Sequence, residues 1–401
     1  MARSAMVSRA DAVVIGGGII GASTAYFLAR RGYAVALIER AEVCSGATRY
    51  SAAHVRQHYS NEVAIRLVLR ALAMFQSDEA ELGGPTGFTR TGYLLLAGAG
   101  EERGLLDNLE LQQRLGVETS SLTPEEVASR WPELDLTGVT LAAYEPQSGY
   151  ADPVRTVQTL VASTRAHGGH VSEHTPVLAI DGRRGAVRSV LTARGEIATP
   201  VVVNAAGPWA NRIAAMAGGS YSLRLSREEE AVFRLPLSTE RLPIVSDAPG
   251  HLYFRPAGEG ELLAGFGYPK ELQPCDPDDF SERADDGSVA WLAQAVSRRL
   301  PGAAAPLANG GHLAATTGRH AGVYSITDDW YPIVGRSEWL DGMYEAVGGS
   351  GHCFKLGPPI GEALAALIAG DTPTVDISAL HGSRFRTRQT FDSVWGAGNR
   401  A

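Results

Sequence analysis

The chain has little cysteine, no excess of positive charge and no uninterrupted apolar run of membrane length. Its three cysteines, Cys44, Cys275 and Cys353, are too few for a disulfide scaffold in 401 residues and fit a reducing, cytoplasmic setting. Lys and Arg number 36 against 44 Asp and Glu, a net charge of −8, which argues against nucleic acid or an anionic membrane as partner. No CxxC pair is present and His167-Gly-Gly-His170 has no further ligands beside it, so no metal site is expected. A hydrolase elbow is met only in broken form at Gly348–His352, and there is no P-loop.

What is present is an apolar share of 44%, enough to exclude a disordered chain, and a length that suggests two domains. There are also 46 glycines, which need a reason because glycine costs folding entropy. Residues 12–29 carry no charge and could be mistaken for a signal peptide or a membrane span. Gly16, Gly17, Gly18 and Gly21 split that run, so the better reading is a buried strand, Ala12–Ile15, a glycine turn and a helix from about Ile19 to Arg31.

Gly16-x-Gly18-x-x-Gly21 therefore stands between a strand and a helix, the context in which this pattern binds a dinucleotide. The first glycine permits the turn, the second lets the backbone approach a pyrophosphate, and the third lets the helix pack on the strand. The helix N-terminus adds unpaired N–H groups and a partial positive charge. Gly32 can end the helix in a left-handed cap, and Ala34–Ile38 reads as the second strand. Glu39 closes it, placed to accept hydrogen bonds from an adenosine ribose and to repel a 2′-phosphate. The fingerprint alone does not separate NAD from FAD.

Further along, Ile65, Val68, Leu69, Leu72 and Phe75 follow helical spacing after Ser60-Asn61. Thr123, Pro124 and Glu126 spell a capped helix start. Val201–Asn204, Leu262–Phe266 and Gly342–Val347 read as strands. Asp276–Asp286 reads as a solvated loop before a helix over about Val289–Arg299, and the pairs Gly83-Gly84 and Gly310-Gly311 as turns.

The segment Cys44-Ser-Gly-Ala-Thr-Arg-Tyr-Ser-Ala-Ala-His54 resembles the flavin-wrapping loop of the D-amino-acid oxidase and sarcosine oxidase family of FAD-dependent oxidoreductases. Val203-Asn-Ala-Ala-Gly-Pro-Trp-Ala210 is similar to that family's second glycine turn. Trp330-Tyr-Pro-Ile-Val-Gly335 and Gly348-Gly-Ser-Gly-His-Cys-Phe-Lys355 are similar to its C-terminal flavin-binding pair. The resemblance implies an α/β (mixed α+β) fold, a Rossmann-like FAD-binding domain with an inserted, mostly antiparallel β-sheet substrate domain. It places the FAD-binding domain at 1–88, 148–219 and 317–401, and the substrate domain at 89–147 and 220–316.

It further implies cofactor contacts from Gly16, Gly18, Ile19, Ile20, Gly21, Glu39, Arg40, Ser45, Thr48, Val177, Ala206, Gly207, Trp209, Gly349, Gly351, His352, Phe354 and Lys355. Arg56 and Lys355 fall where sarcosine oxidases grip the substrate carboxylate, and Tyr253 and Tyr324 where aromatic residues face the substrate. Arg49 and His352 are expected to stabilise negative charge on the reduced ring. Gly322 stands where those enzymes carry the cysteine that bonds the flavin, so FAD is expected to be non-covalent. Leu263 and Gly267 replace a lysine and a histidine, which implies a missing cation and either slow oxidase activity or a dehydrogenase.

The implied reaction is hydride transfer to flavin N5 from an amino acid, secondary or N-methylated, giving an imine. Dioxygen or an electron carrier would be the acceptor. Two alternatives stay open: a 2-hydroxy-acid dehydrogenase with His352 as base, and a flavoprotein subunit active only in a hetero-oligomer. A homo-oligomer is equally compatible.

Overall fold

Ala12–Ile15 is buried at every position, which leaves both faces of this strand to be covered and both edges to be paired. A computed structural model describes residues 6–303 and 315–391 of the protein. In it, Ala12–Ile15 pairs in parallel with Val35–Ile38 on one side and Val202–Asn204 on the other. His170–Ser172 and Met343–Val347 extend the sheet in parallel, and Ile333–Arg336 closes one edge antiparallel. The six strands thus come from four distant stretches of chain.

The apolar 12–29 run folds as strand, turn and helix, the helix being Ile19–Arg30. Among the described residues no helix is long and apolar enough to cross a membrane. Ile19–Arg30 packs against Pro153–Ala166 and Cys353–Ala369 on one face of the sheet, with Glu62–Gln76 beyond. The other face is covered by a meander, Val177–Asp181, Ser189–Thr192 and Gly195–Ala198, whose Ile180, Val190 and Ile197 meet Val13, Ile15 and Ile38.

The second layer is an eight-stranded sheet. Arg224–Arg234, Ile244–Asp247, Leu252–Gly258, Glu261–Phe266 and Ala315–Ile326 join Tyr93–Ala97, Ser120–Leu122 and Leu141–Glu145. All its pairings are antiparallel except that of Ile244–Asp247 with Tyr93–Ala97. The helix Asp286–Arg299 covers one face through Leu292, Ala293 and Val296. The observed architecture is the mixed α/β arrangement implied by the sequence. Ala315–Ile326 runs in this sheet from end to end, past the expected boundary at 316. Its pairing with Arg224–Arg234 carries Tyr324 out toward the first layer. Gly310-Gly311 lies outside the described residues.

Local chemistry accounts for the element ends. Asn61 caps Glu62–Gln76 by accepting from the Ala64 N–H at 2.9 Å. Thr123 and Glu126 form a reciprocal capping box. A small sheet, His54–Val55, Gly149–Tyr150 and Thr89–Arg90, ties the two layers together and sets where Arg56 emerges.

The contact between Ile19–Arg30 and Cys353–Ala369 depends on Gly361, where an added Cβ would lie 2.6 Å from Ser23 Cβ and Thr24 N. Gly361→Ala should cost about 1–3 kcal/mol through overpacking. Gly287→Ala, at an open helical position, should be neutral or stabilising by under about 1 kcal/mol. Thermal unfolding of both variants checks the contrast.

Candidate active site

The first strand ends at Gly16, whose φ of +111° turns the chain back toward the helix. At Gly21 an added Cβ would lie 1.9 Å from the Gly16 carbonyl oxygen, so only glycine lets the helix start this close to the strand. Gly18 is the N-cap of that helix and has no side-chain cap. The Ile19 N–H donates to Thr48 Oγ1 at 3.1 Å, and the Gly17 N–H donates to Glu39 at 2.7 Å. Glu39 also accepts from the Ala41 N–H at 2.8 Å. Ile20 is half-buried against the core, and Ser45 donates to the Glu42 carbonyl at 2.6 Å.

Ala206 and Gly207 open the second turn, Gly207 with φ of +52° and open space where a Cβ would stand. Trp209 follows, with the Arg40 guanidinium 3.9 Å from the ring centroid. Trp209 donates to Asp278 at 2.8 Å, Arg40 pairs with the same carboxylate at 3.0 Å, and Arg212 bonds to it as well. These three donors, Arg212 foremost, hold Asp278 down at about 2. The segment 276–286 is mostly exposed, as read from the sequence, with Asp278 fixed by these bonds. Asp278 ties the segment to the second glycine turn, and its helix starts at Asp286. Val177 is half-buried at the start of its strand, opposite Thr192.

One cavity gathers Arg56, Lys355, Tyr253 and Tyr324, together with Gly351 and Phe354. Tyr324 reaches it because Gly351, φ +79°, has no side chain; a Cβ there would lie 2.4 Å from the Tyr324 ring. Arg56 and Lys355 meet over one ring, their charged ends 4.7 and 5.5 Å from the centroid of Tyr59. Tyr253 donates to Glu230, and burial together with that carboxylate keeps its phenol protonated. His54 lines the cavity edge-on to Tyr253 at 5.2 Å; burial first, then Arg255, Lys355 and Arg56, keep it neutral.

Other expected residues stand elsewhere. His352 lies outside the cavity lining, its Nδ1 2.9 Å from the Tyr59 hydroxyl and its ring stacked on Tyr331 at 5.6 Å. Gly349 faces Cys353, and Arg49 is exposed on the short turn Ala47–Tyr50. His58 is buried and held at about 3 by burial and Arg56. Leu263 is buried in mid-strand between Val232 and Arg255. A side chain at Gly267 would run into the Leu252 backbone, which explains why no histidine stands there.

Two residues of the cavity region escaped the sequence reading. Lys270 lines the cavity 5.1 and 5.8 Å from the Tyr324 and Tyr253 centroids and pairs with Glu228. The lining therefore holds a third cation, at a position other than Leu263 or Gly267. Tyr59, three places after Arg56, is the shared platform. The only signal for it in the sequence was an aromatic within His54–Tyr59.

The donor set suits a dinucleotide. A helix N-terminus whose N-cap is a glycine facing only Thr48, a second glycine turn with open space and a glycine loop reaching the cavity all offer close-approach backbone. Fold and glycine turns together have the architecture of a dinucleotide-binding α/β protein. A family model described as FAD dependent oxidoreductase, DAO, matches residues 11–367, and the chain belongs to that family.

It is 29% identical over 398 residues to mitochondrial sarcosine dehydrogenase of Mus musculus, covering 97% of this chain and 42% of that protein. It is 27% identical to human peroxisomal sarcosine oxidase, covering 94% of this chain and 96% of that one. The solved L-proline dehydrogenase of P. horikoshii superimposes with a TM-score of 0.86 at 29% identity, covering 96% of this chain and all of that one. The chain spans less than half the length of the mitochondrial relatives.

Gly18→Ala places a methyl where only Thr48 Oγ1 is near, at 3.1 Å, so the fold should survive. FAD affinity, measured by flavin fluorescence on titrating the apoprotein, should fall about tenfold or more as backbone contact is lost. Unchanged affinity would remove this turn from the cofactor site.

Proposed function

We propose that this chain oxidises the C–N bond of an amino acid, secondary or N-methylated, as an FAD-dependent oxidoreductase. The observation that carries the reading is the meeting of Arg56 and Lys355 over Tyr59 in a cavity walled by Tyr253 and Tyr324. Two cations in a desolvated pocket bind a carboxylate and discriminate against a bare amine. Bound FAD would supply the hydride acceptor.

The chain's own work is placement. Arg56 and Lys355 fix the carboxylate and the aromatic walls exclude water. The neutral His54 adds no positive charge to repel a substrate amine. The imine product hydrolyses once it meets water, and reoxidation falls to dioxygen or an electron carrier.

In this reading Gly16–Gly21, Glu39, Arg40, Thr48, Ala206–Trp209 and Gly349–Lys355 hold FAD. Gly322, beside Tyr50, offers no nucleophile, so FAD stays non-covalent. The six-stranded layer is the FAD-binding part and the eight-stranded sheet, including Ala315–Ile326, the substrate part. Three free cysteines support a cytoplasmic setting.

Anaerobic mixing with sarcosine, proline, glycine and D-amino acids should bleach the flavin band near about 450 nm for at least one of them. If none does, the substrate class is wrong. Arg56→Ala and Lys355→Ala should each raise KM by about tenfold or more, the loss expected for one charge-assisted bond. Steady-state kinetics that do not change would take both residues out of the site. Acid precipitation should release all the FAD into the supernatant; flavin left on the protein contradicts non-covalent binding.

A further inference from the structure

The residue after Arg56, Gln57, bonds through its N–H to a buried carboxylate that the proposed reaction does not use. Glu145 ends the strand Leu141–Glu145, opposite Tyr93, and has no solvent exposure. Its Oε2 accepts from the Gln57 N–H at 2.7 Å and from Ser148 Oγ at 2.6 Å. Its Oε1 is buried and accepts no hydrogen bond among the described residues. The nearest ring atom, His58 Nδ1, is 3.9 Å away and takes a 3.2 Å contact from the Gln112 side-chain amide, so it faces Oε1 as an acceptor. An oxygen with no donor before it and an acceptor beyond it is arranged for a carboxylic acid as readily as for an anion.

Resting on the reading of Arg56 and Lys355 as the carboxylate grip, we infer that Glu145 is the resident counter-ion of these two cations and takes up one proton from solvent when a substrate carboxylate seats on them. Glu145 is bonded to the N–H of Gln57, the residue after Arg56, and three other carboxylates near the cavity are engaged elsewhere. Asp247 takes two bonds from Arg299, Glu230 is bonded to Tyr253 and His320, and Glu228 holds Lys270. When an incoming carboxylate satisfies Arg56 and Lys355, their pull on Glu145 is spent and a second anion stands nearby. Protonating Oε1 then restores the charge balance.

The groups facing Glu145 leave it as the one that titrates. Burial outweighs Ser148, Gln57, Arg56 and Lys355 and raises its carboxyl to about 7. His58 stays neutral, its pKa near 3, so the His58–Glu145 approach is not an ion pair. Tyr93 is raised above its ordinary value by burial, and Gln112 carries no charge. Carboxylate binding raises the Glu145 carboxyl further. Ligand affinity should therefore be flat below about pH 7 and fall as pH rises above it, with uptake approaching one proton per ligand at about pH 8.

The test is calorimetric titration of the FAD-loaded enzyme with 2-furoate, a carboxylate with no amine to titrate or oxidise, in two buffers of different ionisation enthalpy at pH 8. Uptake of more than about half a proton, lost in Glu145→Gln while binding persists, is the expected result. Binding without uptake in the wild-type enzyme overturns the inference and needs no variant, and so does uptake that survives Glu145→Gln. A different failure, no furoate binding at all or binding indifferent to Arg56→Ala, overturns the carboxylate grip instead.

Discussion

Two cations from opposite ends of the chain are held against one aromatic ring, and that costs free energy. The charged ends of Arg56 and Lys355 stand 4.7 and 5.5 Å from the Tyr59 centroid, and like charges gathered at one site disfavour each other. The fold is organised so that this is tolerable. Lys355 rides on the first turn of Cys353–Ala369, fixed by close packing on Ile19–Arg30, while Arg56 follows a strand that joins the two layers. The electron-rich face of Tyr59 and the buried Glu145 offset part of the repulsion. An anionic ligand would offset the rest.

The same cavity is kept free of competing protonation. His54 and His58 are both driven neutral, chiefly by burial, and the Tyr253 phenol is kept protonated. The lining therefore presents fixed cations and hydrogen-bond donors near neutral pH. Glu145, buried and bonded to the residue after Arg56, has its carboxyl pushed up to about 7 by burial.

Much of this was legible because the signals are local. The glycine spacing, the strand before it and the acid after it specify strand, turn, helix and strand within thirty residues. Thr123 and Glu126 declare their helix in the same way. Arg56, Lys355, Tyr253 and Tyr324 were found through family resemblance, and the fold brings all four to one cavity. What was not legible depends on contacts between distant segments. Asp278 looks like any acid in a polar loop until Trp209 and Arg212 close on it. Lys270 lies in the loop after Glu261–Phe266 and lines the cavity beside Tyr253 and Tyr324, and Glu145 is buried where it pairs opposite Tyr93. His352, legible as a glycine-loop residue, turns its ring into a stack with Tyr331 that no local pattern announces.

The central claim is that Arg56 and Lys355 together receive a carboxylate. The most direct measurement is a crystal structure of the FAD-loaded protein with a bound carboxylate ligand such as 2-furoate. The account requires both carboxylate oxygens within hydrogen-bond distance of the Arg56 guanidinium and Lys355 Nζ. A carboxylate bound instead at Lys270, or anywhere that leaves Arg56 and Lys355 uncontacted, would contradict it.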